Sequence, residues 1–390
     1  MRYLLGFLSV ALIVIGLWGR NREIVPQLRV WTTEEEYFLL QDVNPIFEER
    51  FGVEVIVEAV HGKQVPAMLP IFVGGDFFPD IISLPHTLIS EMAFQGWIAS
   101  IEDFGSFDIM PTALSAFNVM GDFYGIPFAA QTDLLFFNPE AFPKGVAPHA
   151  LWESPEYFSL AFDYRSLYHS LPFITGLGGY VVGFDNFGDL NFYDIGLNSQ
   201  PASEGLSLMA KILNPEIVGG DDLAIFQSFI DGSSNILIAP SRHLASLREA
   251  MPDVGVQNLP NFVENIIPYT YMKMDTYQLT AQSRHHALGI EYLRFLLSED
   301  IVAQRYHLTG ALTPLNTDRT PDATEHYDVL RRQLHRSQPL PNQVEFTYLY
   351  APYRSAADRI VQRPQRILAT MDELLDEINS GSGGRSRLRQ

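Results

Sequence analysis

The chain has no cysteine. Disulfides are therefore excluded, and so is retention through a lipid-modified N-terminal cysteine, although export alone requires neither. Positive charge is also scarce: 26 Lys and Arg stand against 46 Asp and Glu, a formal net charge of −20. Such a balance argues against nucleic acid as a partner, because a polyanion is bound by releasing counterions to a basic face. The basic exception, Gly381-Ser382-Gly383-Gly384-Arg385-Ser386-Arg387-Leu388-Arg389, has the Gly/Ser content of a flexible tail, expected over 380–390. Signatures of catalysis are missing too, with no G-x-S-x-G, no H-E-x-x-H and no phosphate loop. Gly176-Leu177-Gly178-Gly179 lacks the strand-to-helix setting of a dinucleotide loop. His285 and His286 are adjacent at a helix start and point to different faces, a poor metal pair. No cofactor and no metal site is expected.

Long apolar runs are absent except at the start. Arg2 is followed by the uncharged stretch Tyr3 to Gly19, and charge resumes at Arg20. A positive residue ahead of an apolar segment has the form of a signal peptide. The run is close to the lower limit of about 17 residues for a spanning helix, so an uncleaved anchor at 1–19 fits equally. No small-x-small cleavage site follows; Leu17-Trp18-Gly19 is a poor substitute. The 390-residue chain as a whole is 47% apolar and 18% charged, which is globular composition with length for two domains.

Strands and helices alternate along the exported part. Leu28 to Trp31 is a short strand; Leu39, Val43, Ile46 and Phe47 have helical spacing, stopped by Gly52; Val53 to Val57 and Pro79 to Ser83 are strands, and Leu88 to Gln95 is a helix ended by Gly96. Later the pattern recurs: helix Ala202 to Leu213, helix Ile225 to Ile230, strand Asn235 to Ala239, helix Ser241 to Ala250 and strand Val254 to Gln257. Ser283 is placed to cap a helix carrying Leu288, Tyr292, Phe295 and Leu296, and a second helix runs from Ser298 to near Gly310. This alternation predicts an α/β fold with parallel sheet covered on both faces.

The order of these segments resembles the type-1 extracellular solute-binding proteins, over about Leu28 to Asn379. Leu28-Arg29-Val30-Trp31-Thr32-Thr33 is similar to that family's first strand and binding loop, and Gly74-Gly75-Asp76 through Pro79-Asp80-Ile81-Ile82 to its turn into the third strand. Tyr124-Gly125-Ile126-Pro127-Phe128 with Leu135-Phe136-Phe137-Asn138 resembles a first crossing between lobes, and Thr309-Gly310-Ala311-Leu312-Thr313-Pro314 a return crossing. The resemblance implies a periplasmic-binding-protein-like type II fold: two lobes, a cleft between them and a hinge. It puts 28–129 with 277–312 in one lobe and 130–276 with 313–379 in the other. By the same resemblance the chain is a monomeric, non-enzymatic, extracytoplasmic subunit of an ABC importer. Such a subunit closes on a sugar or oligosaccharide and passes it to the permease.

A sugar needs apolar plates and short polar groups that donate and accept. The resemblance places Tyr168 as a stacking ring, with core packing as the alternative, and Tyr348 or Tyr350 as a late one. Trp31, Thr32, Thr33 and Glu34 leave the first strand at its carboxyl end, toward a cleft, although Trp31 also fits a buried place. His86, after the third strand, fits either a donor to a hydroxyl or a solvent-exposed turn. Gln131 and Asp133 follow the first crossing, Ser241 and Arg242 begin a helix after a strand, and Asp275 and Thr276 stand at the second crossing as hinge or ligand residues. Two other readings stay open: the same fold binding a polyamine, a metal ion or a phosphate ester, and a secreted glycoside-active enzyme whose carboxylates are far apart in sequence.

With neither cleavage site nor cysteine, the Tyr3 to Gly19 segment is expected to stay on the native protein as a tether at the outer face of the cytoplasmic membrane. N-terminal sequencing tests this, and a mature start after about Gly19 would show signal-peptide cleavage instead.

Overall fold

Strand β1 (Gln27–Thr32) buries Leu28 and Val30 around a partly exposed Arg29, the period-2 pattern of a sheet face, but its last two residues, Trp31 and Thr32, are both buried. Helix α1 (Glu34–Phe51) begins where the Thr33 hydroxyl accepts the Glu36 N–H at 3.3 Å and ends at Gly52, whose φ of 65° is the left-handed stop that glycine supplies. Its first turn carries Glu34, Glu35 and Glu36, a placement the helix dipole favours. Leu39, Val43 and Phe47 are buried as the spacing predicts, whereas Ile46 is exposed. Strands β2 (Glu54–Ala59) and β3 (Ile81–Pro85) flank β1 in parallel. The computed structural model describes residues 25–317 and 325–380. The expected leader at 1–19 lies outside them, as does the tail from 381 onward, while Ser380 is the last residue of a helix.

Two long strands set the architecture. Strand β4 (Ile126–Phe137) runs antiparallel to β8 (Thr270–Leu279) over Ile126 to Thr132, and its second half, Asp133 to Phe137, pairs antiparallel with β6 (Ile236–Pro240). Beyond β6 lies β5 (Leu160–Ala161), in parallel, and β7 (Gly255–Gln257) also joins the far half of β4. Strand β8 pairs with β3 through Asp275 to Leu279 and with the short β9 (Ser337–Pro339) through Thr270 to Met272. The pairs β1–β2, β1–β3 and β5–β6 are parallel, whereas β7 runs antiparallel to β4. The sheet as a whole is mixed, unlike the all-parallel sheet expected, because a chain that passes back and forth between lobes must lay those passes antiparallel. Opposite the junction of Asp275 and Thr276 the register slips: Asp275 faces Ala129, Thr276 faces Pro127, and Phe128 is the extra residue of a bulge.

Two separate cores flank these strands. One gathers Val30, Leu40, Phe47, Ile82, Phe117, Tyr277, Tyr292 and Leu296; the other Leu135, Phe162, Phe173, Met209, Phe229, Leu237, Tyr353 and Leu374. The structure is a two-lobed α/β protein. Leu315, Tyr327, Leu330 and Leu334 pack into the first core, so the stretch expected to enter the second lobe at 313 stays largely with the first; Leu340 and Phe346 are in the second. Ser283 does not cap the helix that follows. Its hydroxyl accepts the His285 N–H at 3.0 Å and donates to Asp80 Oδ1 at 2.6 Å, while the helix starts at His286.

All three crossings meet in a buried cluster of hydroxyls. Thr132 Oγ1 lies 2.6 Å from Thr270 Oγ1 and 3.0 Å from Ser337 Oγ, and Thr270 Oγ1 lies 2.7 Å from Ser337 Oγ. Proton counting fixes the directions. Thr132 donates to the Tyr271 carbonyl at 2.9 Å and Ser337 to the Gln333 carbonyl at 2.7 Å, since carbonyls only accept. The Thr270 proton is then the one left to join the three oxygens, and Thr270 itself accepts from Gln333 Nε2 at 3.2 Å. His86 adds a second tie: its Nδ1 accepts the Met274 N–H at 3.1 Å and its Nε2–H donates to the Leu340 carbonyl at 2.9 Å.

Replacing Thr270 by Val keeps the shape and leaves the Gln333 amide N–H without its acceptor. The cost should be about 1–3 kcal/mol, the penalty of an orphaned buried donor, read as a lower urea midpoint at unchanged slope. An unchanged midpoint would show that the cluster contributes nothing to stability.

Candidate functional site

Between the lobes lie two adjoining cavities of about 250 and 560 Å3. The first is bounded by Thr33, Glu35 and Glu36 from the start of α1, by Phe128 to Gln131 of β4, by Asp275 of β8, by Ser241 and Arg242 after β6, and by Thr309 to Ala311. The second shares Thr33, Glu35 and Asp275 with it and adds Glu34, Ala59 to Lys63 after β2, and Ser83 to Pro85 at the end of β3. These are carboxyl ends of parallel strands, where the chain turns away and backbone and side chains are free to meet a ligand.

The first cavity mixes polar side chains with the apolar surface of Ala129, Ala130 and Ala311, and its one aromatic residue is Phe128. The Phe128 ring lies 4.4 Å from Tyr277 and faces the Arg305 guanidinium at 5.6 Å. Behind the wall, Glu36 and Arg305 form a buried bidentate pair at 2.7 and 3.2 Å. The Tyr277 hydroxyl donates to Glu36 Oε2 at 3.1 Å and accepts from Thr32 at 2.8 Å, its single proton being spent on the carboxylate. Burial, with the Glu36 charge beside it, holds that phenol far above its ordinary range and keeps it a donor. The network fixes the first turn of α1, so Glu34 and Glu35 project into the cleft with no ion-pair partner among the described residues. Burial, followed by the charges of Glu35 and Glu36, pushes the Asp275 carboxyl up to about 6; His61 and Arg242 act in the opposite sense. On the other wall the Arg242 guanidinium donates to the Gln131 side-chain oxygen. One wall is therefore acidic and the other carries basic groups.

A fold of this kind has close counterparts. The family model for bacterial extracellular solute-binding proteins matches residues 46–329. The chain belongs to that family. A galactooligosaccharide-binding protein of Bacillus subtilis (strain 168) is 24% identical over 355 residues, 86% of this chain and 84% of the relative. A maltodextrin-binding protein of the same strain is 24% identical over 338 residues, 80% and 78% of the two chains. Among solved structures, a cyclo/maltodextrin-binding protein complexed with maltotetraose superimposes with a TM-score of 0.81 at 19% identity, over 93% of this chain and all of the other.

Against this solute-binding fold the candidate residues divide. Thr33, Glu34, Gln131, Ser241, Arg242 and Asp275 stand on the cleft walls. Trp31 does not: it is 1% exposed, its indole N–H bonds Glu58 at 2.7 Å and its ring meets Phe72 edge-on. Thr32 and Thr276 are fully buried, Thr276 donating to the Leu84 carbonyl at 2.7 Å. His86 is neither a ligand donor nor an exposed turn residue but the interlobe tie described above, and burial lowers its pKa to about 4. Asp133 is buried and accepts from His169 Nδ1 at 2.8 Å. Tyr168 is buried as well, donating to the Tyr271 carbonyl at 2.8 Å, with Lys273 Nζ 4.1 Å above its ring. That face is taken, so Tyr168 is not a free plate for a sugar. Tyr350 packs edge-on against Phe346 within the second core and Tyr348 is 40% exposed, neither at a cavity wall. Sequence reading missed Glu35, Lys63 and the Thr309-Gly310-Ala311 turn. Glu35 follows directly from its neighbours at a helix start beside a binding strand, but nothing local distinguishes Lys63 from a solvated lysine.

The raised Asp275 pKa has a sign that can be checked. Between the ordinary value near 3.8 and about 6 the folded chain holds a proton that the unfolded chain has lost, so stability falls as pH rises through this window. Asp275→Asn should therefore be more stable than the parent at pH 7.5, with the gain shrinking toward pH 4.5. Equal melting shifts at both pH values would remove the charge repulsion from Asp275.

Proposed function

We propose that this chain binds a sugar or short oligosaccharide in the cleft, closes its lobes on it, and delivers it to the membrane permease of an ABC importer. One observation carries the reading: in a solute-binding fold, the interlobe cleft presents short side chains of both hydrogen-bonding senses. Thr33 and Ser241 donate and accept, Gln131 does both through its amide, Arg242 donates, and Glu34 and Asp275 accept. A ring of hydroxyls asks for such a mixture. The two cavities join through Thr33, Glu35 and Asp275, which favours a ligand of more than one ring. The relatives named for galactooligosaccharide and maltodextrin binding point to the same class. The family's extracellular character implies action outside the cytoplasm. Tethering through Tyr3 to Gly19 and a monomeric state complete the proposal.

Thermal melts against maltotetraose, galactotriose, spermidine and inorganic phosphate test it. A sugar at 100 times its Kd should stabilise the fold by about 2.7 kcal/mol and be recovered unaltered. A shift with spermidine or phosphate and none with either sugar would reassign the ligand, and release of reducing ends on long incubation would make the protein an enzyme.

A further inference from the structure

Strand geometry singles out one residue on the cleft floor. In the β4–β8 ladder Lys273 stands directly opposite Gln131, and Asp275 opposite Ala129. Cross-strand partners share a face, as do residues two apart on one strand. Since Ala129, Gln131 and Asp275 all bound the first cavity, Lys273 stands on the same face, and it is exposed to solvent. A lysine in such a place ordinarily sweeps a wide arc. Here it does not, because its ammonium sits 4.1 Å above the Tyr168 ring, an attraction that strengthens away from bulk water. Tyr168 is itself immobile: its hydroxyl bonds the Tyr271 carbonyl at 2.8 Å and its ring stacks on Tyr271 at 5.9 Å. Asp133, one pleat beyond Gln131, supplies an attracting charge.

We infer that Lys273 is a ligand-contacting specificity residue of the cleft and that Tyr168 is its positioning residue. An ammonium has three donors. With the aromatic face beneath it, the N–H groups not turned to the ring point to where a sugar's oxygens would lie beside Gln131. The inference rests on the carbohydrate reading above. It also gives Tyr168 a task that a buried ring can perform, holding a cation instead of stacking on a sugar.

Titration calorimetry with maltotetraose and galactotriose on Lys273→Met, Tyr168→Leu, Tyr168→Phe and the Lys273→Met/Tyr168→Leu pair tests this. Loss of a charged hydrogen bond should weaken binding about tenfold or more in Lys273→Met, with the unligated melting temperature little changed. Tyr168→Leu should weaken binding comparably in the parent and add nothing when Met stands at 273, whereas Tyr168→Phe should retain most of the affinity. A purely structural Tyr168 would lower stability equally in both backgrounds and leave affinity alone. Full affinity in Lys273→Met while Arg242→Ala binds weakly would overturn the inference and leave the sugar reading standing. That single variant decides the matter even where Tyr168→Leu does not fold. Failure of both sugars to bind the parent chain would overturn both.

Discussion

Three stretches of chain must pass between two cores within a few ångströms of each other, and the hydroxyls of Thr132, Thr270 and Ser337 are what let them do so. A buried crossing brings backbone carbonyls and amides into a place with no water, and each must find a partner. Small hydroxylated side chains bridge neighbouring strands without filling the space that the backbones need. The Thr270 proton can serve either Thr132 or Ser337, so a small rotation of one crossing exchanges one hydrogen bond for another of equal kind. At Phe128 a bulge interrupts the same ladder, and Pro127 beside it has no N–H to donate. The interlobe junction thus combines a tight knot with an adjacent interruption of the ladder, the arrangement a hinge between rigid bodies requires.

The acidic wall has a different origin. Glu34, Glu35 and Glu36 occupy a helix first turn, where carboxylates are favoured by the unpaired N–H groups. Only the third is neutralised, by a fully buried arginine with which it shares two hydrogen bonds. That pair is costly to desolvate and therefore strict about geometry. The pair ties the helix start to the helix Glu299–Thr309, the Tyr277 hydroxyl ties it to β8, and the two remaining glutamates face the cleft with Asp275.

Much of the fold was legible because it follows from local rules. Period-2 burial in Leu28 and Val30, helical spacing ended by glycine at Gly52 and Gly310, and strands alternating with helices all correspond to elements of the structure. Direction was not legible: a buried strand reads alike whichever way its neighbour runs, and the antiparallel passes of β4 and β8 depend on contacts over a hundred residues apart. Ser283 illustrates a local rule overruled, since its hydroxyl oxygen accepts the His285 N–H in a turn ahead of the helix, its proton goes to Asp80, and the helix starts only at His286. At the site, Thr33, Glu34, Ser241 and Arg242, which follow strand ends, and Gln131 and Asp275, which stand on the crossing strands, all bound the cleft cavities. Residue chemistry was the poorer guide. Trp31, His86 and Tyr168 look like ligand groups and are buried, because a large ring or an imidazole is equally suited to filling a core or pinning a carbonyl, and sequence does not record which neighbour claims it.

His86 separates two duties that a binding protein of this shape has to keep apart. With its pKa near 4, its Nε2–H pointed at Leu340 and its Nδ1 occupied by Met274, the ring is electrically silent at neutral pH and cannot rearrange its tautomer without surrendering both bonds. His86 therefore adds no charge to the joint at neutral pH, whereas Asp275, beside the bulge, has its carboxyl pushed up to about 6. A change of pH near neutrality is therefore met by Asp275 on the cleft wall and not by the imidazole that joins the end of β3 to Leu340.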